Sequence, residues 1–252
     1  MTFSSVHILS HPLSATRVSV FPGDPAPRLD TIRTLAEDGY YLQTVAVGEH
    51  TGTHWGAPAH FNEGEAAADQ LTGEDFVLPG VKIDITNHAA HDHDYAVTVA
   101  DLLDWQNRHG PFPIEAAVLL HTGWDTRWGT DDFACCNDAG RLHHPGFSIE
   151  AVQWLIDHGT LGHRGALGTD TFSPDIGVDD TIAVSKLLYR EHRLSLEILA
   201  NLADLPTRDF IIVVGGFITE HGSGSPATIY ALTPDQPSRM ARVLPARHSS
   251  RY

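Results

Sequence analysis

The sequence predicts an α/β fold with a mixed sheet, organised as a single domain over residues 1–252. Three observations predict it. Short runs rich in β-branched and aromatic residues, such as YYLQTVAV (40–47) and DFIIVVGGF (209–217), have the length and composition of strands. Longer stretches, VTVADLLDWQNRHG (97–110) and SIEAVQWLIDHG (148–159), place apolar residues at helical spacing instead. The two kinds are interleaved without the regular alternation of a doubly wound or barrel pattern. A chain of 252 residues also suffices to bury a sizeable core as one unit.

In chain order, Thr16 to Val20 reads as a short strand leading into FPGDPAP (21–27), where three prolines and a glycine in seven residues make a rigid loop. The strand at Tyr40 to Val47 runs directly into HTGTHWGAPAHF (50–61), which puts that motif at a strand end or just past it. Val81 to Thr86 reads as another strand. The 97–110 segment starts extended and continues as a helix, with Asp101 as its cap and Gly110 as its close. A buried strand follows at 116 to 121, then a helix that begins at the cap Ser148 and stops at Gly159. GALGTDTFSPD (165–175) reads as strand and loop, DFIIVVGGF as a fully buried strand, and TIYALTP (228–234) as an exit strand. NHAAHDHDY (87–95) and DTRWGTDDFACCND (125–138) read as loops, and ARHSSRY (246–252) as a frayed or partner-docked tail.

The formal charge of −16, from 32 acidic against 16 basic residues, argues against a nucleic-acid backbone or an anionic membrane surface as partner. No apolar run approaches the roughly 20 residues of a membrane span, and the first residues lack a signal-peptide pattern, so a cytoplasmic location is expected. The two cysteines, Cys135 and Cys136, are adjacent, a spacing that disfavours a relaxed disulfide and fits ordinary thiols in a reducing compartment.

Seventeen histidines are present, and spacing selects among them. His7, His11, His109, His158 and His248 are scattered singly and read as surface or core-satisfied residues. In HTGTHWGAPAHF, His50, His54 and His60 share parity with Gly52, Gly56 and Pro58, and an extended chain puts same-parity residues on one face. A helix would also align His50 with His54, but Gly52, the β-branched Thr51 and Thr53, and Pro58 oppose it. Two imidazoles on one face can close on a divalent ion, with His60 as a further ligand or a base. HDHD (91–94) offers two more imidazoles and two carboxylates, but without apolar framing it reads as a solvated loop. Trp55 is a candidate apolar wall for a substrate, or core.

HTGTHWGAPAHF resembles the HxGTHxDxPxH signature of the cyclase-like metal-dependent hydrolases, the group of bacterial kynurenine formamidase and isatin hydrolase. Further segments resemble the same family in the same order: FPGDPAP its PGDP loop, LLHTGWD (119–125) its TGW segment, GALGTDTFSPD its GxDxxSxD segment, and LEILANLADLP (196–206) its ExLxNLxxLP segment. The resemblance implies a swivelling β/β/α fold, a homodimer, and a zinc or manganese site that hydrolyses an amide or lactam of a small, often aromatic, acid. It maps His50, His54 and Glu197 to metal ligands and His60 to the general acid/base. Two positions depart from it. Gly56 stands where the family has its metal-bridging Asp, and Ser185 stands where a later ligand His is expected, with His192 as the alternative under a shifted alignment.

These departures imply at most one metal ion, held by two histidines and a carboxylate. The leading expectation is a hydrolase of an amide, lactam or lactone bond. A metal-free cyclase or dehydratase on the same fold is the alternative, with imidazoles as the acid/base groups, and a non-catalytic binding protein the second alternative. Asp24 and Asp170 are candidates for orienting the imidazoles.

Overall fold

The computed structural model describes residues 3–137 and 139–234. Its elements run β1 (Phe3–Ile8), β2 (Arg28–Arg33), α1 (Leu35–Asp38), β3 (Leu42–Ala46), β4 (His54–Gly56), β5 (Val77–Asp84), α2 (Thr86–Ala89), β6 (Ala96–Val97) and α3 (Val99–His109). They continue β7 (Ala117–His121), β8 (Gly146–Phe147), α4 (Ile149–Asp157), β9 (Ala166–Thr169), α5 (Ala183–Leu188), β10 (Leu194–Glu197), β11 (Arg208–Val214), β12 (Gly224–Pro226) and β13 (Ile229–Pro234).

Nine strands form one mixed sheet, ordered β1-β13-β11-β5-β7-β9-β10-β4-β12. Its centre, β5-β7-β9-β10, is parallel, and the three connections within it carry α3, α4 and α5. The outer pairs are antiparallel. The mixed α/β architecture expected from the sequence is therefore the one observed.

Period-two alternation divides the apolar residues between the sheet's two faces. In β7, Ala117 and Leu119 enter one core with Leu196, Phe210 and Ile212, while Val118 and Leu120 enter the other. The second core is closed by Leu102 and Trp105 of α3, Val152 and Leu155 of α4, and Leu187 and Leu188 of α5. Each such fully buried aliphatic side chain contributes roughly 1.5–3 kcal/mol. Because the parallel centre is covered by helices on one face and by core on the other, β7 reads as the near-continuous apolar run AVLLH.

Several elements differ from the sequence expectation for identifiable reasons. Thr16 to Val20 is not a strand, because the Ser14 hydroxyl accepts from the amides of Thr16 and Arg17 and turns the chain. The 40–47 strand exists as β3, but it pairs only with β2 in a separate hairpin whose β3 residues are all exposed. α3 is capped by Thr98, with Asp101 closing a capping box from its third position. Helix α5 and strand β10, which carries Glu197, were not expected as elements. The tail at 246–252 lies outside the described residues. Among the described residues no helix is long and apolar enough to cross a membrane.

Candidate active site

β4 is three residues long and lies between β10 and β12, with His54 opposite Glu197 on one side and Pro226 on the other. This pairing brings residue 197 to the HTGTHWGAPAHF motif across a separation that sequence alone does not bridge. Alternation along β4 sends His54 and Gly56 to one face and Trp55 to the other. Trp55 is accordingly buried in the core, edge-to-face with Phe76, and does not wall the pocket. Past β4, Pro58 starts the single turn Pro58–His60, and its fixed φ suits the first position of such a turn, which sets His60 back toward His50.

The His54 Nδ1 lies 2.8 Å from the Gly52 carbonyl, which only accepts, so Nδ1 carries a proton and Nε2 is the atom left toward the pocket. That Nε2 stands 3.2 Å from Glu197 Oε2, off the axis of a hydrogen bond, so it is buried without a directed partner. Burial alone would raise the Glu197 carboxyl, but the adjacent His54 imidazole, the Ser195 hydroxyl and nearby His60 outweigh it and hold it below the ordinary range.

His50 is differently engaged. The Ser223 hydroxyl donates to Glu49 Oε2 at 2.8 Å, so the His50 Nε2, 2.9 Å from Ser223 Oγ, must be the donor in that contact. Burial, and then the charges of His54 and His60, push its pKa down to about 2, and the ring is neutral at any ordinary pH. His60 stacks on it at 3.7 Å and leans on Phe61 at 4.0 Å. Burial lowers the His60 pKa despite the nearby Glu197 carboxylate, so this ring too is neutral and able to accept a proton near pH 7.

His50, His54, His60 and Glu197 line one cavity of about 590 Å³. Its walls include Phe21 and Asp24 of the proline-rich loop, Phe61, Leu142, Phe172 and Asp175. A pocket of this size with aromatic walls and a few convergent polar groups suits a small, partly aromatic molecule. Asp24 thus shares the pocket with the imidazoles. Asp170 does not orient them: it is buried and accepts from the Thr122, Gly123 and Trp124 amides, closing a turn.

His144 and Asp175 were missed by sequence reasoning. His144 sits on the pocket wall with Nδ1 3.2 Å from the Pro145 carbonyl, and burial lowers its pKa to about 4. The two adjacent histidines of RLHHP were the available signal, but nothing local distinguishes His144 from His143, which pairs with Asp94 at 2.8 Å. His192 stacks on His163 and faces Asp75 at 3.9 Å, away from this cavity.

The zinc or manganese ion that the resemblance implies needs donors that converge on one point. His54 Nε2 and Glu197 Oε2 are spaced as two donors to one ion would be. Of the others, His50 gives its Nε2–H to Ser223 and keeps only Nδ1 as a donor atom, and position 56 has no side chain. The Ser185 hydroxyl, fully buried, donates to Asp175. Catalytic zinc sites ordinarily use three protein ligands, and among the described residues no group of three or more His, Cys, Asp or Glu side chains converges in that way. As arranged, the residues do not fit the ion.

The profile of a family described as putative cyclase matches residues 8–176. The isatin hydrolase of Roseibium aggregatum is 31% identical over 218 residues, covering 83% of this chain and 82% of that protein. The kynurenine formamidase of Bordetella petrii is 24% identical over 221 residues, covering 86% and 93% respectively. The solved structure of isatin hydrolase A from Labrenzia aggregata bound to benzyl benzoate superposes with a TM-score of 0.84 at 28% identity, covering 92% of this chain and 94% of that one.

Proposed function

This chain belongs to the cyclase family and is an enzyme of its hydrolase group, and from that premise we propose that it hydrolyses an amide, lactam or lactone bond in a small, partly aromatic acid. The observation that carries the reading is the convergence of neutral His60 with the His54–Glu197 pair in one aromatic-walled cavity. His60 takes a proton from a water attacking the carbonyl carbon and returns it to the leaving nitrogen or oxygen as the acyl C–N or C–O bond breaks. Glu197, an ionised acceptor, orients that water, and the Gly52 carbonyl fixes the orientation of the His54 ring beside it. Phe21, Phe61 and Phe172 supply the apolar walls that favour an aromatic ring over a sugar or a phosphate ester. Isatin-like lactams and the formamide of kynurenine are the first compounds to try, because relatives are named for them.

A second reading, ring closure or dehydration by the same acid/base groups, is favoured by one observation: the space beside Gly56 is filled by the Tyr189 hydroxyl and not by a ligand. Mass spectrometry of the products from a panel of lactams, formamides and aryl lactones separates the two. A ring-opened product heavier by one water, or from a formamide the free amine together with formate, supports hydrolysis. A product lighter by one water, or unchanged in mass, from an enzyme inert on every hydrolysable compound would replace it with the second reading.

A further inference from the structure

Position 56 is the point where this chain departs most visibly from the motif of its family, and the structure shows what stands there instead. Gly56 pairs with Ser195 across the β4–β10 ladder. A Cβ built on Gly56 would lie 2.9 Å from Ser195 Oγ, 3.3 Å from Tyr189 Cζ, and nearer still to the Tyr189 hydroxyl, well inside contact distance. This hydroxyl is not the free end of a flexible chain. Tyr189 is fully buried behind α5, its ring lies 6.0 Å from that of Phe61, and its hydroxyl makes a 2.6 Å hydrogen bond to Ser195.

One turn earlier on the same helix, Ser185 is also committed. Its hydroxyl and its amide both donate to Asp175, which accepts the Val184 amide as well, so turning the Ser185 hydroxyl toward a metal would cost a hydrogen bond to a buried carboxylate. A lost ligand alone would leave a hole beside position 56. Here the smallest residue at 56 is matched by a buried phenol that fills the space, which is a complementary exchange and not a deletion.

We propose that Tyr189 and Ser195 form a hydroxyl lock that closes the family's metal position in this chain, so that the cavity operates through its own side chains without a resident divalent ion. The lock is independent of which bond the enzyme breaks. It requires that Gly56 and Tyr189 act as a pair, and that removing the pair reopen the position.

Two measurements on the full-length chain test this. In the first, the wild type and the triple variant Gly56→Asp, Tyr189→Phe, Ser195→Ala are incubated with zinc, manganese or cobalt, desalted, and analysed by plasma mass spectrometry and by cobalt ligand-field absorption. The wild type is expected to retain well under one ion per chain, and the triple variant to retain one that is lost when Glu197→Gln is added. A wild type that keeps one ion per chain, released by Glu197→Gln, overturns the proposal, as does a folded triple variant that binds none. The second measurement needs no metal and serves if the triple variant does not fold. Gly56→Ala is expected to lower the melting temperature sharply, and Tyr189→Phe in the same chain to restore most of the loss; additive losses in the double variant overturn the lock. Neither readout uses turnover, so an enzyme that fails every hydrolysis assay leaves this result standing.

Discussion

Residues 50–60 and residues 88–94 each carry three histidines, yet they differ in everything that lets an imidazole act. In the first stretch the rings are built on or beside a buried strand, and His50 and His60 are stacked and kept neutral by desolvation. In the second, His91 Nδ1 is tied to the Asn87 carbonyl, His93 is shared between Arg127 and Cys135, and His88, exposed on the short helix α2, stacks on Tyr95. The lesson is that histidine spacing proposes a site, whereas the framing decides whether a ring nitrogen is left free and facing a cavity. Apolar flanks bury the backbone into the sheet, and only then are the side chains held without solvent to satisfy them.

The largest expected effect tests that contrast directly. His60→Ala should lower kcat by about 10²–10⁴-fold, the usual contribution of a positioned acid/base group, with the circular dichroism spectrum unchanged. His93→Ala should leave kcat as it is. Equal losses in the two variants would erase the distinction between the stretches.

Next in size is Gly56→Asp. By motif alone an aspartate at 56 would supply a ligand, but here it drives a carboxylate against the Tyr189 hydroxyl. Overpacking of this kind costs about 1–3 kcal/mol, and the melting temperature should fall by roughly 5 °C or more. An unchanged melting temperature would mean that Tyr189 yields.

The acid limb of stability sharpens the comparison further. The folded-state pKa of His144 is lowered by burial to about 4, whereas the unfolded chain protonates at its ordinary value of 6.5. Between these values the unfolded state binds the extra proton, so stability is full above pH 6.5 and declines as the pH falls toward 4. The limiting slope is about 1.4 kcal/mol per pH unit for one proton. His144→Gln should flatten this limb in urea titrations run from pH 7 to pH 4; an identical limb would show that His144 protonates without cost.

The smallest effect is expected next door. His143 is partly exposed and paired with Asp94 at 2.8 Å. His143→Ala should change stability by no more than about 1 kcal/mol, as for surface ion pairs, and a larger loss in the same titrations would show that the pair is less solvated than its exposure indicates.

Much of the fold was legible in the residues. Strands β7, β11 and β13 and helices α3 and α4 follow from apolar periodicity and caps, because those signals lie within a single window of chain. β10 was not read as a strand, since LSLE is short and follows a turn, and its extended state comes from pairing with β9 and β4. Trp55 illustrates the opposite failure. Its place in a histidine motif suggested a pocket wall, but alternation along β4 points it to the face opposite His54, into the core.

Sequence by itself determined the α/β class, the importance of residues 50–60 and the anomaly at position 56, because each of these is a local pattern of residue types. What only the tertiary structure decided is which atoms meet. The facing of His54 and Glu197, the diversion of His50 to Ser223 and the filling of the Gly56 space by Tyr189 all depend on β4 lying between β10 and β12. Strand order and register are long-range outcomes of packing two cores at once, and no window of residues contains them.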